Sequence, residues 1–347
     1  AWAGREYRQL QRGEPLDSGN AFMYTYTGGA IYSQEDKYQK YDFDDLGSGK
    51  LARDVTDGWV SMIQHYFLSA VVPPRGEQQH FYGKRLQNGR AVIGSYTPAR
   101  SVAPGSSDTF TGLLFVGPKL QAELEPLAEG LDLTVDYGWL VFLSKPMFWI
   151  LEQIQSVVHN WGWTIIIFTV LIKLAFFKLS ETSYRSMANM RKLTPRIQAL
   201  KDRYGDDKQR MQQAMMEMYK TEKINPLGGC LPMLVQIPFF IALYWVLLES
   251  VEMRQAPWIL WIDDLSIKDP YFVLPLIMGV SMFVQQKLNP PPPDPMQAKI
   301  LMFLPVVFTV MFAFFPSGLV LYWVVNNLLS IAQQWVITKR IEEGAKA

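Results

Sequence analysis

Five apolar segments fill most of the chain after residue 160 and constrain its fold more than any other feature. They cover about residues 163–179, 227–248, 271–288, 299–315 and 317–337. Several are at or below the ~20 apolar residues that cross a ~30 Å hydrocarbon core. Their number and regularity nevertheless exceed what the buried helices of a soluble protein provide. We therefore predict five membrane spans, with bilayer thinning or snorkelling flanking residues around the shorter ones.

Residues 1–135 are different, because they are polar and contain no apolar run long enough to span a bilayer. Short stretches typical of β-strands recur between turn-forming Gly, Pro and Asn pairs. These stretches are residues 21–26, 58–63, 91–96 and 110–116. Repeated short strands separated by such turn-forming pairs predict a β-sandwich domain. The fold class expected is thus a polytopic α-helical membrane protein with an N-terminal β-sandwich.

Charge and reactive residues exclude several functions. The chain has 33 Lys+Arg against 32 Asp+Glu, so it lacks the basic excess of a nucleic-acid-binding protein. One cysteine and three widely separated histidines offer neither a disulfide framework nor the spacing of metal ligands. No GxxxxGK[ST] phosphate loop occurs. We expect no metal, no cofactor and no catalytic residue.

Residues 140–159 form a predicted amphipathic helix just before the first span. Its apolar residues recur at helical spacing and are Met147, Ile150, Leu151, Ile154, Val157 and Val158. Such a helix beside a membrane span is expected to lie along the bilayer surface. The alternative is a core helix of the polar domain.

Lysine and arginine between the spans predict the orientation. Residues 183–223 carry ten of them, whereas residues 249–270 are mainly acidic. The positive-inside rule places residues 183–223, the C-terminus and the tail 342–347 in the cytoplasm. Five crossings, in a core of residues 160–341, then put the β domain outside. A folded domain there needs an upstream signal, so we expect a fragment of a longer protein.

The basic stretch 183–223 has a heptad-like seam broken near Gly205, which predicts a cytoplasmic αα-hairpin. Its apolar positions are rich in methionine, namely Met187, Met190, Met211, Met215 and Met218. Flexible thioether side chains suit a surface that docks varied partners. Alternatively, these residues only pack the two helices together.

Lys173 lies inside the first apolar segment and requires an explanation. A cation at that depth is costly and marks function unless it snorkels to the headgroups. The other spans contain no Asp or Glu at comparable depth, but they do contain polar residues, as does the turn before Lys173. These residues are Thr169, Gln236, Asn326 and Asn327. Together they predict a hydrophilic recess, although each alone could be an ordinary interhelical hydrogen bond.

Four strings add a specific resemblance. They are Asn225-Pro-Leu-Gly-Gly-Cys-Leu-Pro232, Gly205-Asp-Asp-Lys-Gln-Arg210, Val251-Glu-Met-Arg-Gln-Ala-Pro257 and Phe315-Pro-Ser-Gly-Leu-Val-Leu-Tyr322. In order and spacing, residues 131–341 resemble the YidC/Oxa/Alb family of membrane protein insertases. Residues 1–130 resemble the C-terminal part of the large periplasmic domain, a β-supersandwich, of Gram-negative members.

The resemblance implies five spans around a groove that is open to cytoplasm and lipid. It implies that Lys173 stands where the family usually has arginine, that Thr169, Gln236 and residues 322–327 line the groove, and that Tyr322 or Trp323 lies near passing substrate. The implied function is insertion of nascent proteins into the bacterial inner membrane without nucleotide hydrolysis. The implied partners are nascent membrane proteins, the Sec translocon, the ribosome and signal recognition pathway, and lipids, with no direct nucleic-acid contact.

Two other functions could explain a cation within the membrane. A transporter or channel would use one, but the spans show no internal repeat. A Ser/Lys protease would need a serine beside Lys173, and none lies within a turn or two of it in sequence.

Overall fold

The structure is a computed structural model that describes residues 2–13, 25–205, 207–222, 231–289 and 295–344. Part of the predicted strand 21–26, the start of the apolar segment 227–248, the string after Asn225 and the end of the tail lie outside these residues. The chain divides into two compact units. One comprises Ala1–Tyr137 with Glu249–Glu252, and the other comprises Gly138–Leu248 with Met253–Ala347.

The first unit consists mainly of antiparallel sheet. Its strands are β1 (Trp2–Gly4), β2 (Tyr7–Gly13), β3 (Gly28–Ser33), β4 (Lys37–Tyr41), β5 (Ala52–Thr56), β6 (Trp59–Ile63), β7 (Phe67–Val72), β8 (Gln78–Arg85), β9 (Arg90–Tyr96), β10 (Arg100–Val102) and β11 (Leu113–Pro118). Its short helices are α1 (Phe43–Gly47) and α2 (Gln121–Leu124), with a 3₁₀ turn at Leu131–Thr134 and another at Val251–Met253. The prediction of a sheet-rich N-terminal domain is confirmed.

Two sheets of this unit share one core. The five-stranded sheet has the order β11-β7-β6-β3-β4, the four-stranded sheet has the order β2-β9-β8-β5, and β1 pairs with β10. Ile31 and Val60 of the larger sheet and Phe81 and Ile93 of the smaller sheet are fully buried in the same cluster. Because alternate residues of a strand face opposite sides, the apolar face of each sheet covers the other. Predicted strands 58–63, 91–96 and 110–116 overlap β6, β9 and β11.

Two buried or partly buried polar arrangements lie within the first unit. The ammonium group of Lys119 is 3.0 Å from a carboxylate oxygen of Glu249, and each side chain is 2% exposed. The Tyr32 hydroxyl donates to the Glu129 carboxylate at 2.6 Å, and the Gln34 amide donates to its other oxygen at 2.7 Å. The Lys119–Glu249 ion pair joins residues 130 positions apart in sequence.

The second unit is helical. Its helices are α3 (Val141–Val158), α4 (Trp161–Ala175), α5 (Phe177–Tyr204), α6 (Lys208–Thr221), α7 (Leu231–Glu249, whose last residue belongs to the first unit), α8 (Val273–Leu288), α9 (Pro295–Phe312) and α10 (Ser317–Gly344), with a 3₁₀ turn at Gly138–Leu140. Within this unit α10 packs against α4, α5 and α8, while α8 also packs against α9 and α3 against α4. Helix α10 is therefore the central element of the bundle.

The first predicted span is not one helix. Helix α4 ends at Ala175, α5 begins at Phe177, and their axes differ by 66°. Phe176, between them, has φ −91° and ψ 10°, outside the α-helical range. Helix α5 then continues to Tyr204, so the first helix of the predicted hairpin begins at Phe177 instead of residue 183. This break has no glycine or proline to signal it in sequence.

Length and hydropathy alone do not identify five spans in the structure. Among the described residues, no single helix is both long and apolar enough to cross a bilayer. The bent pair Trp161–Ala175 and Phe177–Met190 meets the same length and hydropathy criteria when its two helices are taken together. Shorter apolar helices occur at Leu234–Glu249, Val273–Leu288 and Met296–Phe312. The five-span core therefore stays a prediction.

Helix α3 covers the predicted amphipathic segment. Met147 and Leu151 are buried, whereas Val157 at its end is 79% exposed. The Ser144 hydroxyl donates to the Ala242 carbonyl of α7 at 3.2 Å, and α3 belongs to the helical unit. Its predicted place along a bilayer surface is not tested by these contacts.

Candidate functional site around Lys173

Lys173 lies in the last turn of α4 and is 5% exposed. Its ammonium Nζ donates to the hydroxyl oxygen of Ser330 on α10, at 2.7 Å. Burial of an ammonium is unfavourable unless polar groups replace its water shell, so this contact supports the charged side chain inside the bundle. Lys173 therefore does not lie at the surface of the bundle.

Ser330 belongs to a small polar cluster between three helices. Its hydroxyl donates to the carbonyl oxygen of Asn326, one turn earlier on α10, at 2.7 Å. The Tyr184 hydroxyl of α5 donates to the Ser330 carbonyl at 3.4 Å, and the Gln333 amide donates to the Lys173 carbonyl at 3.5 Å. Two side chains of α10 thus bond to Lys173 of α4, and a side chain of α5 bonds to α10 beside them.

The positive charge of Lys173 is not paired with a carboxylate in the described parts of the chain. None of the ion pairs among these residues includes Lys173, and the acceptor of its ammonium hydrogen bond is the neutral hydroxyl of Ser330. A hydroxyl satisfies one of the three ammonium donors without cancelling the charge. The charge of Lys173 therefore has no counter-ion among the described residues.

The structure brings only some of the predicted groove residues to Lys173. Asn326 contributes only its backbone carbonyl, which accepts the hydrogen bond from the Ser330 hydroxyl. Thr169 is fully buried and donates to the Ile165 carbonyl of its own helix at 2.6 Å, so its hydroxyl is satisfied within α4. Asn327 is also buried, but its amide donates to Ser281 of α8 at 3.1 Å and not to the Lys173 cluster. Gln236 is half-buried on α7.

Tyr322 and Trp323 form an aromatic cluster farther toward the start of α10. The ring centroid of Phe240, on α7, lies 6.1 Å from that of Tyr322 and 4.7 Å from that of Trp323. Phe312 of α9 makes an edge contact with Trp323 at 5.7 Å. The indole Nε1 of Trp323 is buried and has no acceptor among the described residues. The cluster joins helices α7, α9 and α10 through apolar contacts.

The predicted docking methionines lie on α5 and α6, which pack against each other. All five are half-buried, and they are Met187, Met190, Met211, Met215 and Met218. Leu193 of the same seam is 5% exposed, whereas Met216 is 56% exposed. Partial exposure is compatible with both helix packing and contact to a partner, so the docking role stays a prediction.

Sequence reasoning missed Ser330, Tyr184 and Gln333. Asn326, Ser330 and Gln333 recur at intervals of four and three residues, which places them on one face of an otherwise apolar helix. This polar stripe could have been found from sequence. Ser330 is 157 positions from Lys173, so proximity in sequence gives no sign of this contact.

Comparison with known proteins identifies the family. The model of the 60Kd inner membrane protein family matches residues 153–344, and the model of the YidC periplasmic domain matches residues 1–150. The chain belongs to the YidC insertase family. The family matches thus meet at residues 150–153, and together they cover the sheet-rich unit and most of the helical unit.

Curated relatives that match almost the whole chain carry the name of the same family. "Membrane protein insertase YidC" of Methylococcus capsulatus is 60% identical over 345 residues, which are 99% of this chain and 63% of that protein. The protein of the same name from Thioalkalivibrio sulfidiphilus is 60% identical over 99% of this chain and 62% of its own length. The chain therefore spans a little over three-fifths of the length of these relatives.

A solved structure shares the fold. The structure titled "Active YidC insertase crystal structure with the first transmembrane domain resolved" is 20% identical in sequence, with a TM-score of 0.50. The match covers 93% of this chain and 78% of that one. At this identity the likeness concerns the fold of the family alone.

Proposed function

We propose that this chain is the greater part of an insertase that moves nascent membrane proteins from the cytoplasm into the inner-membrane bilayer. The observation that carries the proposal is the buried ammonium of Lys173, which is held by the neutral hydroxyl of Ser330 instead of by a carboxylate. A transmembrane substrate has a polar segment that must cross the bilayer. A fixed cation within the bundle stabilises acidic residues of that segment on the way.

The remaining energy comes from the substrate. Burial of an apolar segment in lipid contributes roughly 25 cal/mol per Å² of apolar surface removed from water. Because the apolar helices Leu234–Glu249, Val273–Leu288 and Met296–Phe312 are short, the polar segment has less distance to cross. We infer that partition, together with the membrane potential, drives insertion without nucleotide hydrolysis, and that the chain acts as an insertase and chaperone but not as an enzyme.

We assign the steps to particular parts of the chain. Substrate first docks on the methionine-rich helices α5 and α6 at the cytoplasmic side, where they form the predicted hairpin. Its polar segment then enters the groove beside Lys173, and its apolar segment passes Tyr322 and Trp323 into lipid. The family pattern also supports cooperation with the Sec translocon and with ribosomes of the signal recognition pathway. The sheet-rich unit then lies in the periplasm and the C-terminus in the cytoplasm.

Site-specific photocrosslinking from position 323 tests this path. A photoreactive residue replaces Trp323, and ribosomes carry a single-span nascent chain stalled at increasing lengths. We expect the crosslinked position to move along the substrate as the chain lengthens. The matched control is the same probe at position 142, where Phe142 is 66% exposed on α3. No crosslink from position 323, with crosslinks only from probes placed on α5 and α6, would instead indicate a docking factor.

A second assay separates insertion from solute transport. A transporter or channel would also place a cation inside the bundle. Liposomes containing the chain should insert the substrate without releasing a small trapped anion. Release of that anion at a rate that depends on Lys173 would favour the transport function.

A further inference from the structure

Ser330 of α10 bonds to two other helices, one through its side chain and one through its backbone. Its hydroxyl oxygen accepts a hydrogen bond from Lys173 of α4, and its backbone carbonyl accepts one from the Tyr184 hydroxyl of α5. The side chain is 3% exposed. The residue therefore lies where the bent pair α4 and α5 meets α10.

The hydroxyl is oriented by its own hydrogen bond. Because its proton is donated to the Asn326 carbonyl at 2.7 Å, the lone pairs of the oxygen are left to face Lys173. The negative end of the hydroxyl dipole thus points at the ammonium group. Ser330 is consequently an acceptor with a fixed direction, which a freely rotating hydroxyl is not.

Lysine needs such an acceptor more than arginine does. The ammonium is a compact charge on a flexible four-carbon stem, whereas guanidinium is a planar fork with five donors. Loss of a single acceptor therefore leaves a buried lysine side chain free to take other rotamers, including rotamers that point to the headgroups. An arginine at the same position keeps further donors for neighbouring carbonyls.

We propose that Ser330 is the positioning residue that holds the Lys173 ammonium inside the bundle and keeps it charged for an acidic substrate segment. The inference rests on the proposed function, because it assigns to Ser330 a role in the same electrostatic step. A carboxylate at this position would hold the lysine as well but would neutralise it. A neutral, oriented hydroxyl holds the lysine without neutralising it.

The experiment uses the full chain in liposomes and two single-span substrates that differ only in the translocated segment. One segment carries two aspartates, and the other carries two asparagines. The variants are Ser330→Ala, Ser330→Cys and Ser330→Thr. Cysteine keeps the shape of serine with a somewhat larger sulfur atom that is a weak acceptor, whereas threonine keeps the hydroxyl. Thermal unfolding of each variant reports whether it is folded.

We expect Ser330→Ala and Ser330→Cys to slow insertion of the aspartate substrate by about tenfold, the order of magnitude of a hydrogen bond to a charged group. Insertion of the asparagine substrate should stay within about twofold of the parent chain. Ser330→Thr should restore the parent rate for both substrates. In a Lys173→Arg background, the effect of Ser330→Ala should shrink, because guanidinium keeps other donors.

Equal slowing of both substrates would overturn the inference, since it would give Ser330 a purely structural role in packing α4 against α10. Unchanged insertion in both Ser330→Ala and Ser330→Cys would overturn it as well. Lys173→Ala distinguishes this failure from failure of the proposed function. If Lys173→Ala is selective for the aspartate substrate and Ser330→Ala is not, the role of Ser330 alone fails. If Lys173→Ala affects neither substrate, the electrostatic step itself fails.

Discussion

Lys173→Met provides the sharpest test of the electrostatic step. Methionine has a similar length and fills the same space, so the change removes the charge with little loss of packing. It also removes the 2.7 Å hydrogen bond that Ser330 accepts from Lys173. The Ser330 hydroxyl still donates its own hydrogen bond to the Asn326 carbonyl. The control is Lys173→Arg, which retains the charge.

The magnitude follows from the cost of carrying a carboxylate into the bilayer. An ionised aspartate at the centre of a membrane helix costs about 3 kcal/mol on insertion scales. An ammonium 4 Å away offers about 4 kcal/mol of attraction at an effective dielectric constant of about 20. Desolvation of the approaching carboxylate opposes this attraction, so we take about 1.4 to 2.8 kcal/mol as the net effect. Each 1.4 kcal/mol is a factor of ten, which predicts a ten- to hundredfold slower insertion.

The assay is insertion into protein-containing liposomes, read as protease protection of the translocated segment. Acidic and neutral substrates are matched in length and hydropathy. Lys173→Met should slow the acidic substrate by the factor above and leave the neutral one near its parent rate. Raising the salt concentration should change the result little, because the 5% exposed ammonium is poorly screened. Equal insertion of the acidic substrate by the parent chain, Lys173→Met and Lys173→Arg would refute the reasoning.

Three further predictions concern stability and use thermal or denaturant unfolding in detergent. Glu249→Ala leaves Lys119 buried without its ion-pair partner and should lower the free energy of unfolding by about 3 to 5 kcal/mol. Replacing both residues by apolar ones should recover most of this loss. Gly279→Ala places a Cβ 2.1 Å from the Thr309 hydroxyl, which is too close for the present packing. The free energy of unfolding should therefore fall by about 1 to 3 kcal/mol. An unchanged melting temperature would show that α9 moves to make room for the methyl group. Hydrogen bonds from a tyrosine and a glutamine lower the pKa of Glu129. Its carboxylate therefore stabilises the fold above its unfolded pKa of 4.5, and this stability is lost as pH falls below that value, with Glu129→Gln flattening the pH profile.

The sequence predicts the longer helices and three of the strands, because their signals are local. Apolar runs indicate helices α7 to α10, and turn-bounded β-like stretches indicate β6, β9 and β11. The bend at Phe176 could not be predicted, because helix breaks are usually signalled by proline or glycine and this one is not. Tertiary packing determines the conformation at that position.

Long-range pairings account for the remaining differences. Glu249 contributes to the acidic loop that predicts the orientation, yet it is buried in an ion pair with Lys119 of the sheet-rich unit. The carboxylate of Glu249 therefore neutralises a buried lysine and contributes nothing to an exposed acidic surface. Likewise, the sequence singles out Lys173 as a cation within an apolar segment, but its contact with Ser330 depends on how α4 and α10 pack. Composition and spacing identify a buried charge, whereas only the packing identifies its partner.

Helix α10 arranges the aromatic and polar parts of the candidate site at two depths. Trp323 belongs to the aromatic cluster, and Ser330 holds Lys173 seven residues later. At 1.5 Å per residue the two positions are about 10 Å apart along the helix axis, a third of the ~30 Å hydrocarbon core. In the proposed orientation Ser330 lies nearer the cytoplasm. An entering acidic segment would therefore meet the ammonium before the aromatic cluster, so loss of the charge should weaken the earliest crosslinks from position 323 without shifting where the apolar segment leaves for lipid.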